Sequence, residues 1–131
     1  MINLFQTTAI PALEQTAMFA QRRHELLAGN LANVDTPGYR SRDLDVGEFH
    51  SALSDSIEAS TRPQSVSPST REDMIRGPRD AMEQVVFHDG SDVSLEHQVT
   101  EIAKNQHMHS LAITAMRSQF SLLQAAITER A

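Results

Sequence analysis

The sequence has no cysteine and no tryptophan, and only one tyrosine and five phenylalanines among its 131 residues. Without thiols there is no disulfide, no Cys-ligated zinc or iron–sulfur cluster and no thiol nucleophile. The shortage of large rings argues against a compact β fold, whose core depends on aromatic area. No stretch approaches the ~18 apolar residues that cross a bilayer. The first fifteen residues lack the basic start and continuous apolar run of a secretory signal. Any export is therefore expected to use another route. Lys and Arg number 11 against 17 Asp and Glu, a net charge of −6. That balance disfavours nucleic-acid binding, which needs clustered cations to displace counterions from phosphate.

What is present falls into three parts. Residues 1–42 carry four basic and three acidic side chains, 43–92 carry four and eleven, and 93–131 carry three of each. The acidic excess sits wholly in the middle, with Pro63, Pro68 and Pro78 and a Ser/Thr/Pro-rich run. Such a run buries too little apolar surface to offset its ordering entropy, so Ser60–Arg71 is expected to be mobile or irregular.

The two ends carry helical periodicity. Ile10, Leu13, Ala17, Ala20, Leu27, Leu31 and Val34, with His24 between, are spaced alternately by three and four, the seam of a helix that supercoils on a partner. Pro11 suits a first helical turn, and Pro37–Gly38 cannot continue the helix. Leu95, Val99, Ile102, Gln106, His109, Ile113, Met116, Phe120, Leu123 and Ile127 repeat the pattern, with no Gly or Pro from Val93 to Ala131. Asp92 or Ser94 offers an N-cap and Glu96 a favourable first-turn charge. About 36 residues at ~1.5 Å each span roughly 54 Å, whereas a compact globule of this length is roughly 36 Å across. The molecule is therefore expected to be elongated.

An antiparallel pairing with Val34 beside Leu95 sets Leu31 against Val99, Leu27 against Ile102, and Leu13 against Met116. His24 and Gln106 would then satisfy each other inside the seam. Phe120, Leu123 and Ile127 would overhang the N-terminal helix, and Leu111, Ala115, Leu122 and Ala126 form a second apolar strip. Two apolar sides on one helix imply assembly, with Phe120, Leu122, Leu123 and Ile127 as subunit-interface candidates. The expected fold is mainly α, one domain over 1–131: an N-terminal helix at 8–34, a turn and irregular acidic middle at 35–92, and a C-terminal helix at 93–130. The middle is expected to be partly disordered, with a short helix near 47–58 and a short strand within 82–90.

The most distinctive string is Leu26-Leu-Ala-Gly-Asn-Leu-Ala-Asn-Val-Asp-Thr-Pro-Gly-Tyr-Arg40. It reads as a helix end, with Asn33 able to take the left-handed conformation and Asp35 to cap the turn, followed by a type II turn centred on Pro37–Gly38. Ala28, Asn30, Leu31, Ala32, Asn33, Thr36, Pro37, Gly38 and Tyr39 match in order the N-terminal signature of bacterial flagellar axial proteins, which the chain resembles. The flanking Arg22-Arg-His-Glu-Leu-Leu and Arg40-Ser-Arg-Asp-Leu-Asp, with Glu101-Ile-Ala-Lys-Asn-Gln and Met116-Arg-Ser-Gln-Phe, look most like the FlgB family of proximal rod proteins. Gly29 departs from the Ala or Ser expected there, costing about 1 kcal/mol of local helix stability.

The resemblance implies an elongated subunit of the flagellar proximal rod, exported through the flagellar type III apparatus and packed around its channel to transmit torque. An export signal within Met1–Thr8 is one option, an ordinary frayed terminus another. The implied partners are further copies, the rod proteins FlgC and FlgF, the rod adaptor FliE, the membrane-ring base and the export apparatus. No cofactor, nucleic acid or direct membrane insertion is implied. A second reading is a helical coiled-coil adaptor or export-chaperone-like protein, which the helices alone support equally. An enzyme finds no support. His107 and His109 lie on different faces of a helix, and His97 is nearly three turns from His107, too far to share a metal with it. Gly-rich phosphate loops, G-x-S-x-G and H-E-x-x-H are absent.

Overall fold

A computed structural model of the chain describes residues 9–61, 68–88 and 94–129. The order of elements is α1 (Ile10–Ala32), β1 (Arg42–Leu44), α2 (Val46–Thr61), α3 (Pro68–Glu83), β2 (Val85–Phe87) and α4 (Leu95–Thr128). The fold is mainly α, with a long N-terminal and a long C-terminal helix packed together. The pair is antiparallel, since Asn30, Arg23 and Ala20 of α1 meet Gln98, Glu101 and Asn105 of α4 respectively. The register lies within about one turn of the one expected from the seam.

α1 begins with Pro11 in its first turn, where a missing N–H costs nothing. It ends at Asn33, but not by the left-handed route expected there. Asn33 has φ −113°, and its Nδ2 donates to the Gly29 carbonyl at 2.8 Å. The side-chain amide satisfies a last-turn carbonyl, so the backbone need not turn left-handed. Gly38 takes the positive φ instead, +76°, and the Tyr39 N–H donates to the Thr36 carbonyl at 3.2 Å. That is a type II turn, in which only glycine sits without strain at the third position. α4 is capped by Ser94, whose hydroxyl accepts from the His97 N–H at 3.2 Å. Asp92, the other cap candidate, is outside the described residues, as are Met1–Thr8, read as either an export signal or an ordinary terminus, and residues 62–67 of the stretch expected to be irregular.

The middle is more regular than composition suggested. The expected short helix is α2, opened by Asp45 Oδ1 accepting from the Glu48 N–H at 2.9 Å. The expected strand is β2, paired antiparallel with β1 in the register Arg42–Phe87, Asp43–Val86 and Leu44–Val85. α3 was not foreseen, because Pro68, Gly77 and Pro78 lie within it. Pro68 occupies the first position, where proline is tolerated. Pro78 is interior, but its ring is fully buried and the next turn buries Ala81 and Met82. Tertiary burial there outweighs local propensity.

The core lies on one side of α1. Phe19 and Leu26 meet Leu44 of β1, Phe49 of α2, and Ala81 and Met82 of α3, with Val46, Leu53 and Val85 around them. The Phe19 and Phe49 rings stack with centroids 4.0 Å apart and planes at 12°. From α4 only Met108, half-buried, reaches this cluster.

Candidate functional site

α1 presents a second side to α4, and its chemistry is polar. Seven residues, two helical turns, separate Arg23 from Asn30, which puts both on that face. The Arg23 guanidinium grips Asp43 of β1 with Nε to Oδ1 at 2.8 Å and Nη2 to Oδ2 at 2.6 Å. The same Nη2 donates to Glu101 Oε2 of α4 at 2.6 Å, and Lys104 Nζ meets the other Glu101 oxygen at 2.8 Å. Burial alone would lower the Arg23 pKa, but bonds and charge from Asp43 and Glu101 outweigh it and raise the value. The bond from Lys104 pulls the Glu101 carboxyl below its ordinary range; burial opposes this, and Arg23 adds to the downward pull.

Asn30 forms the companion junction. Its Nδ2 donates to the Arg42 carbonyl at 2.6 Å and to Gln98 Oε1 of α4 at 3.3 Å. Its Oδ1 accepts from the Arg42 N–H at 2.9 Å and from the Tyr39 hydroxyl at 3.1 Å. The side-chain amide thus pairs with the Arg42 peptide as a neighbouring strand would. Lower down, Asn105 Nδ2 donates to the Ala20 carbonyl at 2.7 Å.

These contacts shift the seam from where apolar spacing placed it. The buried positions of α4 are Gln98, Asn105 and Ala112, seven apart. On α1, Ala20 and Leu27 are buried, and Leu13, Ala17 and Leu31 half-buried; on α4, Ile102, His109, Ile113 and Met116 are half-buried. His24 and Gln106, expected to satisfy each other inside, are exposed. Leu95 and Val99, 52% and 50% exposed, also leave the seam. The paired polar residues inside it are Arg23 with Glu101 and Asn30 with Gln98. Spacing by seven in polar residues on both helices was the available signal; a reading of apolar positions passes over it.

The motif residues divide in the same way. Asn30 is buried, Asn33 and Tyr39 half-buried, and Ala32, Thr36, Pro37 and Gly38 exposed. Of the interface candidates, Phe120, Leu122 and Ile127 are 48%, 63% and 71% exposed, and Leu123 is half-buried. The register places the start of α1 near residue 115 of α4, so this last third runs beyond it. Leu111, on the flank that Leu122 shares, is 63% exposed. Arg117 is the only charge from His109 to Thr128. Among the described residues no three of His, Asp or Glu converge to hold a metal ion, and no helix is long and apolar enough to cross a membrane.

No protein-family model matches the chain. Individual relatives do. The flagellar basal body rod protein FlgB of Aquifex aeolicus is 31% identical over 119 residues, covering 86% of this chain and 87% of that protein. FlgB of Escherichia coli is 28% identical over 111 residues, covering 75% and 77%. FlgB of Bacillus subtilis is 25% identical over 130 residues, covering 97% and 98%. With a relative above 30% identity aligned along most of both chains, this chain belongs to the FlgB family of flagellar basal body rod proteins.

Proposed function

We propose that this chain is a structural subunit of the proximal rod, self-assembling around the export channel and transmitting torque, with no catalytic role. One observation carries the reading: the last third of α4 overhangs α1 with Phe120, Leu122 and Ile127 exposed and Arg117 the one charged side chain from His109 to Thr128. Exposed apolar area costs about 25 cal/mol per Å², so these flanks favour burial against neighbours. Those neighbours are sister copies and, through the family resemblance, FlgC, FlgF, FliE and the membrane-ring base. Passage to the rod is through the flagellar type III apparatus. The type II turn at Thr36–Tyr39 adds a second exposed contact at the other end of α1.

The test is a double substitution, Leu122→Asp with Ile127→Asp, in a motile host. Both positions are exposed, so the isolated chain should keep its helical circular dichroism. Rod assembly and swimming should be lost. Normal swimming with the charged pair in place would overturn the reading.

A further inference from the structure

The two sides of α1 differ in what holds them. Toward α2, α3 and the ribbon, contact is through Phe19, Leu26, Leu44, Phe49, Ala81 and Met82. Toward α4, the hydrogen bonds come from a guanidinium, one carboxylate and side-chain amides, and two of the three buried residues of α4 are Gln98 and Asn105. Asn105 Oδ1 is buried without a hydrogen-bond partner, which weakens the docking further. Ala20 and Leu27 add apolar burial on this side of α1, and Ile102, Ile113 and Met116 of α4 are half-buried, but the one fully buried apolar residue of α4 is small Ala112.

We propose that Arg23 and Asn30 form a polar latch from which α4 undocks as a unit, while α1, the ribbon, α2 and α3 stay folded. Each latch residue bridges three elements. Arg23 joins α1 to Asp43 of β1 and Glu101 of α4; Asn30 joins α1 to Arg42 of β1 and Gln98 of α4. On release, Arg23 keeps its bidentate partner Asp43, so no buried charge is stranded. Asn30 likewise keeps Arg42 and Tyr39. The half of each junction that remains is complete, which lets the opening stop at α4 rather than spread through the core. Local opening of this kind is favoured where an element contributes no large, fully buried apolar side chain and its bonds form a separable set. If α4 is the helix that meets sister copies, the latch decides whether it is presented fixed or free. That consequence rests on the assembly reading; the opening itself does not.

Native-state amide hydrogen exchange on the full chain, followed residue by residue, tests it. Amides of 99–112 should exchange through an opening that leaves those of α2 and α3 protected. Glu101→Gln, at a partly exposed site where folding is not at risk, should speed exchange in 99–112 about tenfold or more and leave α2 and α3 unchanged. Lys104→Ala, which leaves the Arg23 bond in place, should have a smaller effect. Exchange of α4, α2 and α3 through one common opening in the unaltered chain would overturn the proposal. So would a Glu101→Gln chain in which all three quicken equally. Normal swimming of the Leu122→Asp, Ile127→Asp chain, with the latch behaviour intact, would count against the assembly reading alone.

Discussion

Asn30 uses every hydrogen-bonding position of its amide inside the protein: two donors to Arg42 and Gln98, and an oxygen shared by the Arg42 N–H and the Tyr39 hydroxyl. Truncation would leave several of those partners short at once, and buried unsatisfied groups cost more than a hydrogen bond contributes. Asn30→Ala should therefore lower stability by about 3 kcal/mol, read as a shift in urea midpoint. Tyr39→Phe removes one neutral bond and should cost about 1 kcal/mol. Glu101 sets a pH dependence. Its folded pKa is below the ordinary carboxylate value because Lys104 and Arg23 favour the charged form. Its contribution to stability is thus complete above the ordinary range near 4.5 and is lost as pH falls through the lower folded value. Urea midpoints of the unaltered chain and Glu101→Gln should differ at neutral pH and converge in acid.

At the scale of elements, α1 and α4 were legible because both are long and periodic, with Pro11 in the first turn of α1 and Ser94 capping α4. Their contact was only half legible. Apolar spacing finds the faces with the most Leu, Ile and Val, and on α4 those faces include Leu95, Val99 and Phe120, which the chain leaves exposed. The buried face reads Gln98, Asn105, Ala112, which no hydrophobicity pattern selects. α2 and β2 announced themselves through Phe49, Leu53 and Val85–Phe87. α3 did not, since Gly77–Pro78 looks like a break until Ala81 and Met82 are seen buried. Asp43 and Glu101 were illegible as partners of Arg23, because ion pairs across twenty and seventy-eight residues leave no local trace. The turn after α1 offers its own test. A Cβ on Gly38 would meet nothing within 4 Å, so the cost of Gly38→Ala is backbone alone. With φ at +76°, that cost should be about 1 kcal/mol, visible as a modest fall in melting temperature.

For the whole molecule, the core and the apolar overhang of α4 are at different places. Phe19, Phe49 and their neighbours cluster beside the middle of α1, whereas Phe120, Leu122 and Ile127 lie at the far end of α4. Phe49→Ala should consequently lower global stability by about 3–5 kcal/mol in a chemical denaturation experiment. Aspartate at 122 and 127 should leave that stability nearly unchanged. The family's signature falls at the other end of α1 from the overhang: Asn30 and Tyr39 knit α1 to β1 and α4, while Thr36, Pro37 and Gly38 stand outside.

Tyr39 has a practical corollary. It is the sole tyrosine of a chain without tryptophan, and its hydroxyl is tied to Asn30 at the junction of three elements. Near-ultraviolet emission from this protein is therefore local by construction, a built-in reporter at the joint between α1, β1 and α4. Quenching or lifetime measurements need no engineered dye to follow that joint.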